Sequence, residues 1–83
     1  MRFRGRVDAN HGDIVDALRK TGWLVLSLAD HGRGCPDVLA YRGELRLFEI
    51  KTERGWMTPQ QEEFQRQGWP VSVLVTVDDV LAL

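Results

Sequence analysis

The chain has 83 residues, of which 43% are hydrophobic and 28% are charged, so we expect one globular domain spanning residues 1–83. Its net charge of −1 excludes an overall basic signature for nucleic acid, and the single cysteine, Cys35, excludes an internal disulfide and a cysteine-based zinc motif. Because the sequence contains no signal-peptide core and no apolar run of about 18 residues, we expect no membrane segment and a cytoplasmic location.

The first predicted element is a helix over residues 8–21, because apolar residues recur there at helical spacing and Gly22 follows as a terminator. Asp8 or Asn10 is a suitable N-cap for this helix. Its apolar stripe consists of Ile14, Val15 and Leu18.

Three strands are predicted next, at residues 23–28, 37–41 and 45–51. A glycine-rich loop over 30–36 precedes the second strand. The three residues 42–44, Arg-Gly-Glu, form the turn between the second and third strands. This pattern predicts an antiparallel meander.

A second helix is predicted from the Thr-Pro-Gln-Gln segment at 58–61, where Thr is the N-cap, Pro the first helical residue and the last Gln closes a capping box. This helix ends near Gly68. A buried strand at 71–76 follows, and Asp78 can cap a last helical turn. A helix between the third and fourth strands predicts a parallel crossover. Apolar residues on both faces of the strands predict helices on both sides of the sheet.

The hairpin places charged residues among apolar ones. With a three-residue turn, Asp37 lies opposite Glu49, and Lys51 shares the face of Glu49 because strand side chains alternate. Two acids facing each other are unfavourable unless one is protonated or a cation lies between them. Two carboxylates offer only oxygen ligands, which Mg²⁺ and Mn²⁺ prefer.

Two other interpretations of these charges remain open. Lys51 can form an internal ion pair with Glu49 or Asp37 at the strand ends. A two-residue turn would instead pair Asp37 with Phe48 and turn Glu49 to the other face. In either case the chain would be an unrelated α/β protein with a structural ion pair.

The segment Pro36-Asp37, followed after a short hairpin by Glu49-Ile50-Lys51, resembles the motif of PD-(D/E)XK nucleases. The longer pattern, GCPDVLAYRGELRLFEIK and then MTPQQEEF, resembles the stand-alone VRR-NUC branch often found in phages. The resemblance extends from residue 14 to residue 79. It implies an α/β fold with a restriction-endonuclease-like αβββαβ core, which is a mixed sheet flanked by helices.

The resemblance also implies roles for individual residues. Asp37, Glu49 and the backbone carbonyl of Ile50 would be metal ligands. Lys51 would act on the water nucleophile, and Gln61 would lie at the edge of the site. The capping box at 58–61 explains Gln61 without any catalytic role.

Three further residues have weaker assignments. The family tends to carry a Glu or Gln on the first helix where this chain has His11, which is therefore a candidate metal ligand, a phosphate contact or a structural residue. Arg33, in the glycine-rich loop, and Arg54, beyond Lys51, are candidate DNA contacts. The alternative for both arginines is an exposed, solvated position.

The function implied by the resemblance is that of a Mg²⁺- or Mn²⁺-dependent endonuclease. It would hydrolyse DNA phosphodiester bonds, as a homodimer selective for Holliday junctions or other branched DNA, in a bacterial or phage-infected cell. Neither a small-molecule cofactor nor a membrane partner is expected. The alternative is a catalytically weak DNA-binding or assembly module that has a nuclease fold.

Overall fold

The computed structural model describes residues 10–83, in which three helices and four strands follow one another along the chain. The elements are α1 (His11–Lys20), β1 (Leu24–Ser27), β2 (Val38–Tyr41), β3 (Leu45–Ile50), α2 (Pro59–Arg66), β4 (Val71–Leu74) and α3 (Val77–Leu81). The predicted order of elements is confirmed. Within residues 10–83, none of the helices has the length and apolar character needed to cross a membrane.

The strands form one mixed sheet in the order β1-β2-β3-β4. The pairs β1–β2 and β2–β3 are antiparallel, as a meander requires. The pair β3–β4 is parallel, because the connection between these strands runs through α2. The predicted meander and parallel crossover are therefore confirmed.

The hydrophobic core lies on one face of the sheet, against α1 and α3. Ile14 and Leu18 of α1 and Val80 of α3 are buried there, and each such side chain contributes roughly 1.5–3 kcal/mol through its burial. The ring of Trp23 packs edge-on against Phe48 at 5.6 Å between centroids. The sheet residues of this core are Val38, Ala40, Phe48, Ile50 and Leu74.

The opposite face of the sheet is only partly covered, so the prediction of helices over both faces is half right. Helix α2 has no buried residue, and it contacts this face near Glu49 through Gln61. An eight-residue helix is about 12 Å long and cannot cover four strands. The apolar residues that remain exposed on this face include Leu24, Leu26, Tyr41 and Leu45.

The predicted cap of the last helix is wrong. Thr76, not Asp78, is the N-cap of α3, because its hydroxyl accepts the Asp79 N–H while the Asp79 carboxylate accepts the Thr76 N–H. Asp78 lies in the first turn. A reciprocal capping box satisfies two backbone donors, so it outcompetes a single acidic cap.

Asn10 occupies the N-cap position of α1, but its side chain does not cap the helix. Its amide instead donates to the backbone carbonyls of Lys51 and Val75, at the ends of β3 and β4. The alternative cap, Asp8, lies outside the described residues. Asn10 therefore ties the start of α1 to the edge of the sheet where the charged residues lie.

Candidate active site

The β2–β3 hairpin has the predicted three-residue turn. Tyr41 lies opposite Leu45 and Leu39 opposite Leu47, with Arg42–Glu44 between the strands. Immediately beyond this ladder, the Asp37 N–H donates to the Phe48 carbonyl at 3.0 Å. The two-residue alternative is therefore wrong. Because Val38 pairs with Phe48, the register places Asp37 opposite Glu49, where the charge of Asp37 acts on the Glu49 carboxyl group.

Glu49 is the buried member of this pair. Only 3% of the residue is exposed, whereas Asp37 is half-buried. Burial first, and the charge of Asp37 second, raise the pKa of Glu49 from 4.5 to about 8, although Lys51 opposes the shift. Without a cation, Glu49 therefore holds a proton at neutral pH.

Lys51 lies on the same side of β3 as Glu49. Its Nζ is 3.6 Å from Glu49 Oε2 and donates to Gln61 Oε1 at 2.9 Å. Its side chain is 14% exposed. The predicted contact of Lys51 with Glu49 is present. Lys51 lowers the pKa of Glu49, but it does not offset burial and the charge of Asp37, which keep that pKa raised.

Gln61 links α2 to both of these residues. Its Nε2 donates to Glu49 Oε2 at 2.9 Å, and its Oε1 accepts from Lys51. The same Oε1 accepts the Thr58 N–H at 2.9 Å, and the Gln61 N–H donates to Thr58 Oγ1 at 3.1 Å. Gln61 is thus a helix cap and a site residue at once, so its two interpretations are compatible.

The backbone of Ile50 is part of the same cluster. Its N–H donates to Asp37 Oδ2 at 2.7 Å. The N–H and C=O of one strand residue point to the same side, so the Ile50 carbonyl also lies on the side of β2 that carries Asp37. This position is compatible with the predicted role of the carbonyl as a ligand.

The chemistry of these donors fits a small hard cation. Two adjacent carboxyl groups and a backbone carbonyl are oxygen ligands, and a divalent ion between the acids would remove their repulsion. Among residues 10–83 there is no group of three or more His, Cys, Asp or Glu side chains that could hold a metal. The set suits Mg²⁺ or Mn²⁺, which retain several waters, better than a closed zinc site.

The other predicted residues are His11, Arg33 and Arg54. His11 is the first residue of α1 and half-buried, and no group of metal-ligand side chains within residues 10–83 includes it. Arg33 is exposed, with φ of 60°. Arg54 is exposed and lines a groove of about 360 Å³ together with Asn10 and Thr52. The structure thus places the arginines on the surface and leaves their roles as predictions.

Two neighbours of the site have no predicted role in it, although Cys35 stands next to the Pro36-Asp37 motif in the sequence. Burial raises the pKa of the Cys35 thiol, and the charges of Glu49 and Asp37 raise it further, so this thiol lies beside the two acids. The second neighbour is Asn10, which holds the Lys51 carbonyl. Because Cys35 is only two residues before Asp37, its place beside the acids could be predicted from the sequence. The contact of Asn10 with Lys51 joins residues 41 positions apart, and no local pattern predicts it.

Together these residues define a class of site: paired carboxylates on neighbouring strands, flanked by a lysine and a helix-borne glutamine. No family model, no curated protein and no solved structure matches this chain.

Proposed function

We propose that this chain is a Mg²⁺- or Mn²⁺-dependent nuclease that hydrolyses DNA phosphodiester bonds. The observation that supports it best is the register that places Asp37 opposite Glu49 on neighbouring strands, with the Lys51 ammonium group 3.6 Å from Glu49. An acid whose pKa is raised by burial and by a second acid, beside a lysine, is typical of a functional site.

The cation would be held by Asp37, Glu49 and the Ile50 carbonyl. When bound there, it supplies charge stabilisation of the phosphate and acidification of a water molecule. Lys51 then orients the attacking water and offsets the negative charge that develops on the phosphate. Water adds to the phosphorus in line as the bond to the leaving oxygen breaks, and the resemblance to the nuclease family implies that the products carry a 5′-phosphate and a 3′-hydroxyl.

Gln61 holds Lys51 for this role. Its Oε1 accepts from the ammonium group at 2.9 Å, so the lysine is positioned before substrate arrives. The groove lined by Arg54 and Thr52 begins directly after Lys51, and it offers a cation for a neighbouring phosphate. Branched DNA, such as a Holliday junction, is the substrate class we propose.

A cleavage assay with matched lysine variants tests this function. Lys20 and Lys51 are the two lysines of the chain, and Lys20 is exposed at the end of α1. We expect the wild type to cut a four-way junction, a flap or a linear duplex with Mg²⁺ or Mn²⁺ and not with EDTA. Lys51→Ala should slow cutting at least about 100-fold, whereas Lys20→Ala should not. Failure of the wild type to cut any substrate, or undiminished cutting by Lys51→Ala, contradicts the proposal.

The second candidate is a DNA-binding or assembly module with weak or no chemistry, which the net charge of −1 and the His11 position favour. Calorimetric titration with Mn²⁺ separates the two candidates. The nuclease should bind Mn²⁺ and lose this binding on Asp37→Asn, while a matched change of an exposed acid, Asp13→Asn, should leave it intact. A module without chemistry should show no Mn²⁺ binding that depends on Asp37.

A further inference from the structure

Trp56 exposes nearly all of its indole ring. It is 82% exposed, the highest value among the large apolar side chains within residues 10–83. Tryptophan is highly buried on average, because its ring removes up to about 250 Å² of mostly apolar surface from water. Trp23 is only 4% exposed, and Trp69, at 50%, stacks on Phe64 with 5.2 Å between ring centroids. Trp56 is therefore the tryptophan whose ring has the most surface to offer a ligand.

The loop that carries Trp56 joins the candidate active site to α2. It begins directly after Lys51 and ends at Thr58, the N-cap of α2. A turn closes the first part of this loop, because the Gly55 N–H donates to the Thr52 carbonyl at 2.9 Å. Gly55 lies against the lysine, since a Cβ placed on it would be 3.3 Å from Lys51 Cδ. Trp56 is thus the next residue after a direct contact with the stem of Lys51.

Contacts hold the backbone on both sides of Trp56. The turn at 52–55 precedes it, and after it the sulfur of Met57 accepts from Gln65 Nε2 at 3.7 Å. Consecutive Cα atoms are about 3.8 Å apart, and one nucleotide step along a stacked strand is about 3.4 Å. A base that contacts Trp56 therefore belongs to a nucleotide only a few steps from a phosphate at Lys51.

The same loop offers positive charge to a phosphate. Residues 51–56 contain two cations, Lys51 and Arg54, and one acid, Glu53, so this stretch has a net charge of +1 in a chain whose net charge is −1. Arg54 is exposed and lines the groove of about 360 Å³. Proteins bind single-stranded nucleic acid by combining cations along the backbone with aromatic rings on which bases stack. The loop has both components next to the proposed catalytic lysine.

We propose that Trp56 is a stacking platform for an unpaired DNA base, with Arg54 contacting a phosphate of the same strand. The choice of DNA as the ligand rests on the proposed function. A base inside a duplex is covered by its neighbours on both faces, whereas an unpaired base presents a face to the indole. The substrate class is therefore branched DNA that carries a single-stranded segment beside the cleaved bond, such as a flap.

Binding measured in EDTA tests the platform without any cutting. An oligothymidine of about 12 nucleotides and an abasic strand of the same length carry the same phosphates, but only the first has bases. We expect the wild type to bind the oligothymidine at least about fivefold more tightly, and Trp56→Ala to abolish this preference. Trp69→Ala is the matched control, because the Trp69 ring is already stacked on Phe64, and it should retain the preference.

Arg54→Ala separates the phosphate contact from the stacking contact. It should weaken binding of both strands by the same factor, because both carry the phosphate that Arg54 meets. The slope of log affinity against log salt should become shallower by about 0.7, the value for one phosphate of a single strand. A loss confined to the oligothymidine would place Arg54 against a base and contradict this part of the proposal.

Tryptophan fluorescence identifies the ring that meets the base. Oligothymidine should quench the wild-type emission, and Trp56→Phe, which keeps an aromatic ring but removes the indole, should lose that quenching. The proposal would be overturned by equal wild-type affinity for the two strands, by an unchanged preference in Trp56→Ala, by an equal loss of preference in Trp69→Ala, or by quenching that persists in Trp56→Phe.

These outcomes are independent of the nuclease assay. A protein that prefers the strand with bases through Trp56 but cuts no DNA keeps the stacking platform and loses the proposed function. A protein that cuts DNA but binds the two strands equally keeps the proposed function, and the stacking platform is then wrong.

Discussion

Gln61 shows how one side chain can serve the fold and the site together. It completes the capping box of α2 with Thr58, and it contacts Glu49 and Lys51 with the same amide. The capping box at the start of α2 therefore fixes the orientation of the Gln61 amide toward Glu49 and Lys51.

A comparison of Thr58→Ala with Gln61→Ala separates these two contributions. Both changes break the capping box, so each should cost about 1 kcal/mol of stability by urea unfolding. Only Gln61→Ala also removes the contacts to Glu49 and Lys51, so we expect it alone to slow metal-dependent cutting by about tenfold. Equal cutting rates for the two variants would reduce Gln61 to a helix cap.

At the level of elements, the glycine-rich loop and α2 are packed with almost no separation. Gly34 has φ of 80°, and a Cβ there would overlap the Gln60 carbonyl and lie 2.9 Å from the Gln61 nitrogen. The absence of a side chain at Gly34 therefore allows α2 to approach the strand that carries Asp37.

Gly34→Ala and Gly32→Ala form a matched pair for this contact. Gly32 has φ of 74°, but a Cβ there would meet no atom within 4 Å. Both variants carry the left-handed strain of about 1–2 kcal/mol, and only Gly34→Ala must also displace α2, at a further cost of about 1–3 kcal/mol. Urea unfolding measures the difference, and equal losses of stability would show that the loop and the helix are not held in contact.

The elements themselves follow from local signals in the sequence. Strand alternation and the length of the turn at 42–44 were sufficient to place Asp37 beside Glu49. The Thr-Pro start at 58–61 was sufficient to place Gln61 on the first turn of α2. The cap of α3 was missed because Thr76 and Asp78 are both good N-cap residues, and the choice depends on the reciprocal bond from Asp79.

At the level of the whole molecule, the pKa of Glu49 links folding to pH. The folded chain keeps this proton up to about pH 8, whereas the unfolded chain loses it near 4.5. Between these values the folded state binds more protons than the unfolded state, so stability falls as pH rises, by up to about 1.4 kcal/mol per pH unit. Above about pH 8 this loss is complete.

Urea unfolding in EDTA across this pH range should show that slope in the wild type. Glu49→Gln should flatten it, because the amide mimics the protonated acid and cannot ionise. Glu53→Gln, at an exposed position, should retain it. A wild-type stability that rises between pH 5 and pH 8 would contradict the assignment of a neutral Glu49.

The tertiary arrangement was less predictable than the elements. Apolar residues on both faces of the strands predicted two helical layers, but α2 is too short to form the second one. The contacts of Asn10 with Lys51 and Val75 join residues 41 and 65 positions apart, and no local pattern specifies them. The sequence thus predicts which residues meet across one hairpin better than what covers the sheet.

No side chain of α2 is fully buried, and its half-buried Phe64 stacks on Trp69 just beyond the helix, so α2 contributes no residue to the hydrophobic core. The polar contacts of Gln61 with Glu49 and Lys51 fasten its first turn instead. A substrate or cation that binds at Glu49 or Lys51 must compete with these contacts of Gln61. A cation bound at Glu49 Oε2 would displace the Gln61 Nε2–H that now donates to this atom, so the first turn of α2 would respond to occupation of the site.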